Sequence, residues 1–147
     1  MLKVNMAPII VTHTFPVRPD TVWRAITELD LMRQWYFDNI PSFKAQVGFK
    51  TQFPVQSQGR LFTHLWRVTE VVPQKKIVCR WRFEEYPGDS FVTFELWEQK
   101  GATTLTLTVN VTESFPEDIP EFQRESCVGG WEYFIGERLK NFLAKAS

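Results

Sequence analysis

Two histidines, His13 and His64, are the side chains best suited to move a proton near neutral pH. A Ser–His–acid or Cys–His arrangement would need one of them beside a nucleophile. His13 lies in the β-branched run Ile9-Ile10-Val11-Thr12-His13-Thr14-Phe15, where it is expected on the solvent side. His64 alternates with Phe62, Trp66 and Val68, so it is expected to face inward, where a lone histidine reads as a pocket or core residue. Cys79 and Cys127 show no CxxC spacing and no neighbouring histidine pair, so neither a zinc site nor a disulfide framework is expected. Glu125 and Glu132 share one helical flank, as a carboxylate pair at a pocket mouth or as a solvated edge. Gly129-Gly130 falls inside a helical pattern rather than after a strand, which excludes a phosphate loop. No constellation demands an enzyme, and no metal or cofactor is expected.

The hydrophobic period assigns the elements that would carry these groups. After the first strand, Pro19 and Asp20 suit a helix start, with Val22, Trp23 and Ile26 at helical spacing. Asp30 is the expected cap of a second short helix from Leu31 to about Phe37, with Pro41 beyond it. From Phe43 the period becomes two: Phe49 and Phe53 alternate with Lys50 and Gln52, and the strand holding His64 ends near Pro73. In Ile77-Val78-Cys79-Arg80-Trp81-Arg82-Phe83-Glu84, Cys79, Trp81 and Phe83 point one way. Arg80, Arg82 and Glu84 point the other, where cross-strand ion pairs are expected. Turns at Pro87-Gly88-Asp89 and Lys100-Gly101 bracket Val92, Phe94 and Leu96, and Leu105, Leu107, Val109 and Val111 alternate with threonines. Asp118 and Glu121 have capping-box spacing for a last helix reaching about Lys145, roughly 25 residues or nearly 40 Å. The layout is α+β: an antiparallel meander of six or seven strands, two short helices after the first strand, and a long C-terminal helix across the concave face. Residues 1–147 read as a single domain.

Composition narrows the partners. Lys plus Arg equals Asp plus Glu at 17 each, which gives no electrostatic case for nucleic acid or an anionic membrane. No apolar run approaches the roughly 20 residues that span a bilayer, and the start MLKVNMAPII reads as a mature cytoplasmic one. Asn110-Val111-Thr112 fits a glycosylation sequon, but without a secretory signal it is read as ordinary strand sequence. The aromatic fraction, 15%, supplies stiff flat surface for a packed core, a pocket wall, or both.

Four stretches carry a family resemblance: Thr14-Phe15 with Arg18-Pro19-Asp20-Thr21-Val22-Trp23; Asp30-Leu31-Met32-Arg33-Gln34-Trp35-Tyr36; Val68 to Val78 around Pro73; and Gly130-Trp131 with Leu139. In this order they resemble the family named after the activator of heat-shock protein 90 ATPase, within the START and birch-pollen-allergen-like helix-grip superfamily (SRPBCC). The resemblance implies a cavity between curved sheet and long helix, which in relatives holds lipids, hormones or polyketides. It also implies a possible chaperone contact, since the name-giving relative uses this domain so. Many members carry a His and Glu shortly before the Gly-Trp pair; here Glu125 is followed by Ser126 and Cys127, so an acid–base or metal role does not carry over.

On that implied cavity the inward faces would place Phe53, His64, Trp66, Trp81, Phe83 and Phe94. The short helices would add Trp35 and Tyr36, and the long helix Trp131, Phe134 and Ile135. The polar candidates are His64, Cys79 and the Tyr36 hydroxyl. The leading reading is a non-catalytic binding protein for an apolar, lipid-like or aromatic small molecule. The alternatives are a chaperone ATPase-modulating interaction protein and a cavity enzyme of cyclase or hydrolase type. A homodimer through an exposed sheet edge is also open. Within the last helix Val128, Trp131, Phe134, Ile135, Leu139 and Phe142 form the apolar stripe, and the glycines border it. Gly130 is expected to be the point of close approach, and Gly130→Leu to disturb packing or ligand access more than Gly136→Ala.

Overall fold

In the computed structural model, which describes residues 6–146, β1 (Ile9–Phe15) is followed by α1 (Pro19–Thr27) and α2 (Leu29–Trp35). The meander β2 (Lys50–Ser57), β3 (Arg60–Val72), β4 (Lys76–Phe83), β5 (Asp89–Gln99) and β6 (Ala102–Glu113) comes next. The strands form one six-stranded antiparallel sheet in the order β1-β6-β5-β4-β3-β2, leaving β1 and β2 as its edges. Two-residue turns close β2–β3 at Gln58-Gly59 and β5–β6 at Lys100-Gly101, all four residues at positive φ. Such turns match the twist of the flanking strands, and glycine at the second position adopts that conformation without a Cβ penalty. An irregularity between Val68 and Glu70 breaks the β3–β4 register and bends the sheet there.

α2 starts at Leu29 with Glu28 before it and no side-chain cap, so Asp30 sits inside the first turn instead of capping. α2 is tied to α1 at its other end: Trp35 Nε1 donates to the Ala25 carbonyl at 2.7 Å. That carbonyl lies in the last turn of α1, where no intrahelical donor is available. Trp35→Phe is therefore expected to cost about 1–3 kcal/mol, read as a lower urea midpoint with an unchanged slope. The chain from Pro41 to Phe49 forms no strand, and β2 begins only at Lys50.

The capping box also fails to form. Residues Pro120–Phe122 make a 3₁₀ turn, and Glu121 turns aside to Arg60 of the β2–β3 hairpin at 3.3 Å. α3 (Arg124–Tyr133) starts beyond it without a side-chain cap. It continues through a π-helical segment, Phe134–Leu139, into α4 (Lys140–Ala146). The buried row of this C-terminal helix is Trp131, Ile135, Leu139 and Leu143, every fourth residue. In a 3.6-residue helix such a row drifts by about 40° per step. The wider π turn reduces that drift and keeps Leu143 buried where α4 meets α1. Val128, Phe134 and Phe142 of the expected stripe sit at its half-buried margins instead.

The surroundings of the glycines are the reverse of the expectation. A Cβ on Gly130 meets nothing within 4 Å, whereas one on Gly136 would lie 2.9 Å from the His13 ring. His13 shares strand parity with Val11 and Phe15, so it is not on the outer face; it lies half-buried under the helix, 3.1 Å from Glu132. Gly130→Ala is expected to stabilise by up to about 1 kcal/mol through helix propensity. Gly136→Ala should forfeit that gain by displacing His13, and Gly136→Leu should cost about 1–3 kcal/mol net. Thermal melts of the three variants separate these outcomes; equal gains at both positions would contradict the packing.

Candidate functional site

Between the concave face and the C-terminal helix lies a cavity of about 220 Å³. It occupies the end of the sheet near the β2–β3 hairpin. Its walls are mostly rings: Phe37 after α2, Phe62 and His64 of β3, Trp81 and Phe83 of β4, and Trp131 and Phe134 of the helix. Aliphatic side chains of Val55, Val92 and Val109 fill the strand side, and Phe115 and Phe122 close the far end. Ser57, Glu121 and Ser126 bring polar atoms to the rim, the buried Cys127 thiol lies within the wall, and Gly130 leaves the helix wall bare.

Of the residues expected to line a cavity, His64, Trp81, Phe83, Trp131 and Phe134 stand on this wall. Trp35, Tyr36, Trp66, Cys79 and Phe94 instead surround a second space of about 20 Å³ deeper under α2, with Trp81 as the wall common to both. Phe53 and Ile135 are packed into the core, Phe53 with its ring stacked on His64 at 5.0 Å. The inward faces were legible; which end of the bowl stays unfilled was not. Phe115 and Phe122, which set that end, lie outside the strands and long helices and carry no periodic signal.

The second space has an unusual polar inventory. The Tyr36 hydroxyl and the Trp66 indole N–H are buried and have no hydrogen-bond partner among the described residues. A space this size holds one water, and these donors supply the polar contacts a buried water needs. Burial raises the Tyr36 pKa well above its ordinary value, so the phenol keeps its proton.

His64 is held by geometry rather than by a charge partner. Its Nδ1 lies 3.0 Å from the Phe62 carbonyl, which can only accept, so the neutral ring carries its proton on Nδ1 and presents Nε2 as an acceptor. Phe83 lies edge-on at 4.8 Å and Trp81 at 5.4 Å. Desolvation pushes the imidazole pKa down to about 4, against smaller opposing effects of the Phe62 carbonyl and Glu85. Burial likewise lifts Cys79 to about 12 and Cys127 to about 11, which keeps both thiols protonated at neutral pH. At the rim, burial pushes the Glu121 carboxyl up, but bonds from Ser57 and Arg60 outweigh it and hold it below the ordinary value. The wall is thus uncharged, with charge confined to the mouth.

Elsewhere, Glu132 is engaged by His13 and Glu125 is exposed, so the two do not form a carboxylate pair at the mouth. No group of His, Cys, Asp and Glu side chains among the described residues is arranged to hold a metal ion. No helix among the described residues is long and apolar enough to cross a membrane.

A curved antiparallel sheet gripping a long C-terminal helix, with two short helices inserted after β1, defines the helix-grip class. Within that class, the family described as "Activator of Hsp90 ATPase homolog 1-like protein" matches residues 16–144, and the chain belongs to this family. The human "Activator of 90 kDa heat shock protein ATPase homolog 1" is 27% identical over 142 residues, covering 95% of this chain but 38% of that protein. The crystal structure of DynU16, a protein in the dynemicin biosynthetic locus, aligns with a TM-score of 0.73 at 25% identity, over 95% of this chain and 48% of the other. The Aha1 dimer from Colwellia psychrerythraea shares the fold at a TM-score of 0.69 and 19% identity, over 92% of this chain and 95% of that one.

Proposed function

We propose that this protein holds one small, largely apolar molecule between its sheet and C-terminal helix, and does so without catalysing a reaction. The observation that carries this reading is the ring-walled cavity of about 220 Å³, uncharged inside and polar at its rim. Apolar cavities of about 150 Å³ accept benzene, so a molecule of one or two rings fits this one. Its acceptor, the Nε2 of His64, suits a ligand hydroxyl or N–H. For about ten non-hydrogen atoms, micromolar affinity lies within the usual ligand-efficiency range. Native mass spectrometry of gently purified protein is expected to show a stoichiometric adduct of low mass, removed by an organic wash. A bare chain that also fails to take up any member of a one- and two-ring aromatic library would overturn the reading.

The chemistry of the wall gives an enzyme less support. A ring that protonates only near pH 4 is a weak base at neutral pH, and protonated thiols are poor nucleophiles.

A second reading, modulation of a chaperone ATPase, is favoured by the name of the human relative, which matches 95% of this chain. The match spans 38% of that protein, so this chain would contribute one contact among several. Adding it to the host's heat-shock protein 90 and measuring ATP turnover tests the idea; no change in rate and no binding at tens of micromolar would remove it. The dimeric neighbour raises self-association through the open edges β1 or β2 as part of the same reading.

A further inference from the structure

The outer face of the sheet carries a cationic cleft remote from the cavity. Lys50 on β2 stands directly opposite Arg67 on β3, and Arg67 directly opposite Arg80 on β4. Arg82 follows on the same face of β4. Strands lie about 4.8 Å apart, so the three opposed residues make a row about 10 Å long. Together with Arg82 they wall a hollow of about 360 Å³, with Gln52 and Glu84 on its margin.

Like charges directly opposite one another destabilise a sheet. In a chain with 17 residues of each sign, nothing in the composition forces such a row. The charge of Arg80 is already committed: its Nε lies 2.7 Å from the Asp89 carboxylate. Lys50, Arg67 and Arg82 are exposed, and none is ion-paired to a carboxylate among the described residues. A lysine on edge strand β2 guards against strand pairing, but β3 and β4 are interior strands and need no such guard. The cross-strand ion pairs expected here from sequence thus form only at Arg80.

We propose that this cleft docks an extended, acidic segment of a partner protein, whose carboxylates meet Lys50, Arg67 and Arg82. Charge complementarity selects the sign. Exposure selects the size: each solvated pair contributes at most about 1 kcal/mol, too little to retain a single small anion. A segment presenting several linked carboxylates to the row gains from their connection.

Fluorescence anisotropy of a labelled octaglutamate peptide tests the proposal. Saturable binding is expected at about 50 mM salt, weakening several-fold at about 300 mM because exposed charges are screened. The triple change Lys50→Gln, Arg67→Gln and Arg82→Gln should weaken it by about tenfold or more, and the single Arg67→Glu should act in the same direction. Lys44→Gln, Lys75→Gln and Lys140→Gln together make the same net-charge change on other surfaces, and should leave affinity within about twofold. Equal losses in the two triple variants, or no saturable binding to the parent protein, would overturn the proposal. Displacement of the peptide by inorganic phosphate at equal carboxylate-to-phosphate concentration would also overturn it, by revealing a small-anion site.

Discussion

Acidification from pH 6.5 to pH 4 is expected to remove on the order of 3 kcal/mol of stability through His64 alone. The ring is neutral in the folded protein because desolvation holds its pKa down to about 4, whereas in the unfolded chain it titrates near 6.5. Between those values the unfolded state binds the extra proton, so stability falls as pH falls. Above 6.5 both states are neutral and the contribution is constant; below 4 both are protonated and the loss is complete. Chemical denaturation across this window should show the decline, and His64→Gln should flatten it. Gln fits the test because its amide can still donate to the Phe62 carbonyl, while it cannot take up a proton. A parent protein whose stability is level from pH 6.5 to 4 would mean that water reaches the ring and that the wall is not dry.

The second large effect concerns the bare patch at Gly130. A Cβ there meets no neighbour, and the residue lines the cavity. Gly130→Leu therefore places a side chain of on the order of 100 Å³ into the space a ligand would use. With 2-naphthol as the probe, the affinity of the parent is expected in the micromolar to high-micromolar range, and Gly130→Leu should weaken it by about tenfold or more. The same change should leave the melting temperature equal or higher, since leucine favours the helix over glycine and fills an apolar space. This pairing of lost binding with retained stability separates a ligand cavity from ordinary core. Unchanged affinity in a stably folded variant would place the probe elsewhere.

These two residues also show what the sequence displays and what it conceals. His64 was legible because a period of two survives through Phe62, His64, Trp66 and Val68, all of which are buried. The meander, its turns at Lys100-Gly101 and the pair of short helices follow from equally local signals. Gly130 departs from the expected close approach because its flank of α3 faces open space, which depends on what lies opposite rather than on the helical period. The close approach falls instead at Gly136, inside the π-helical segment and against His13, and that segment also alters the period that leads to the buried Leu143. His13 departs from the solvent-side expectation because its parity with Val11 and Phe15 turns it inward, beneath a helix residue 119 positions away. Among the candidate wall residues, His64, Trp81, Phe83, Trp131 and Phe134 border the cavity. The division between a 220 Å³ cavity and a 20 Å³ space was not legible, because it turns on where Phe115, Phe122 and α2 come to rest.

A ligand held between sheet and helix has a defined place as well as an affinity, and nuclear magnetic resonance addresses the place directly. Intermolecular Overhauser contacts from bound 2-naphthol to Trp131, Phe122 and Phe62 are the expected result, because these rings border the cavity. Contacts confined to the outer face, for example to Trp97 with its 60% exposure, would contradict the account, as would a probe that binds without reaching Trp131 at all.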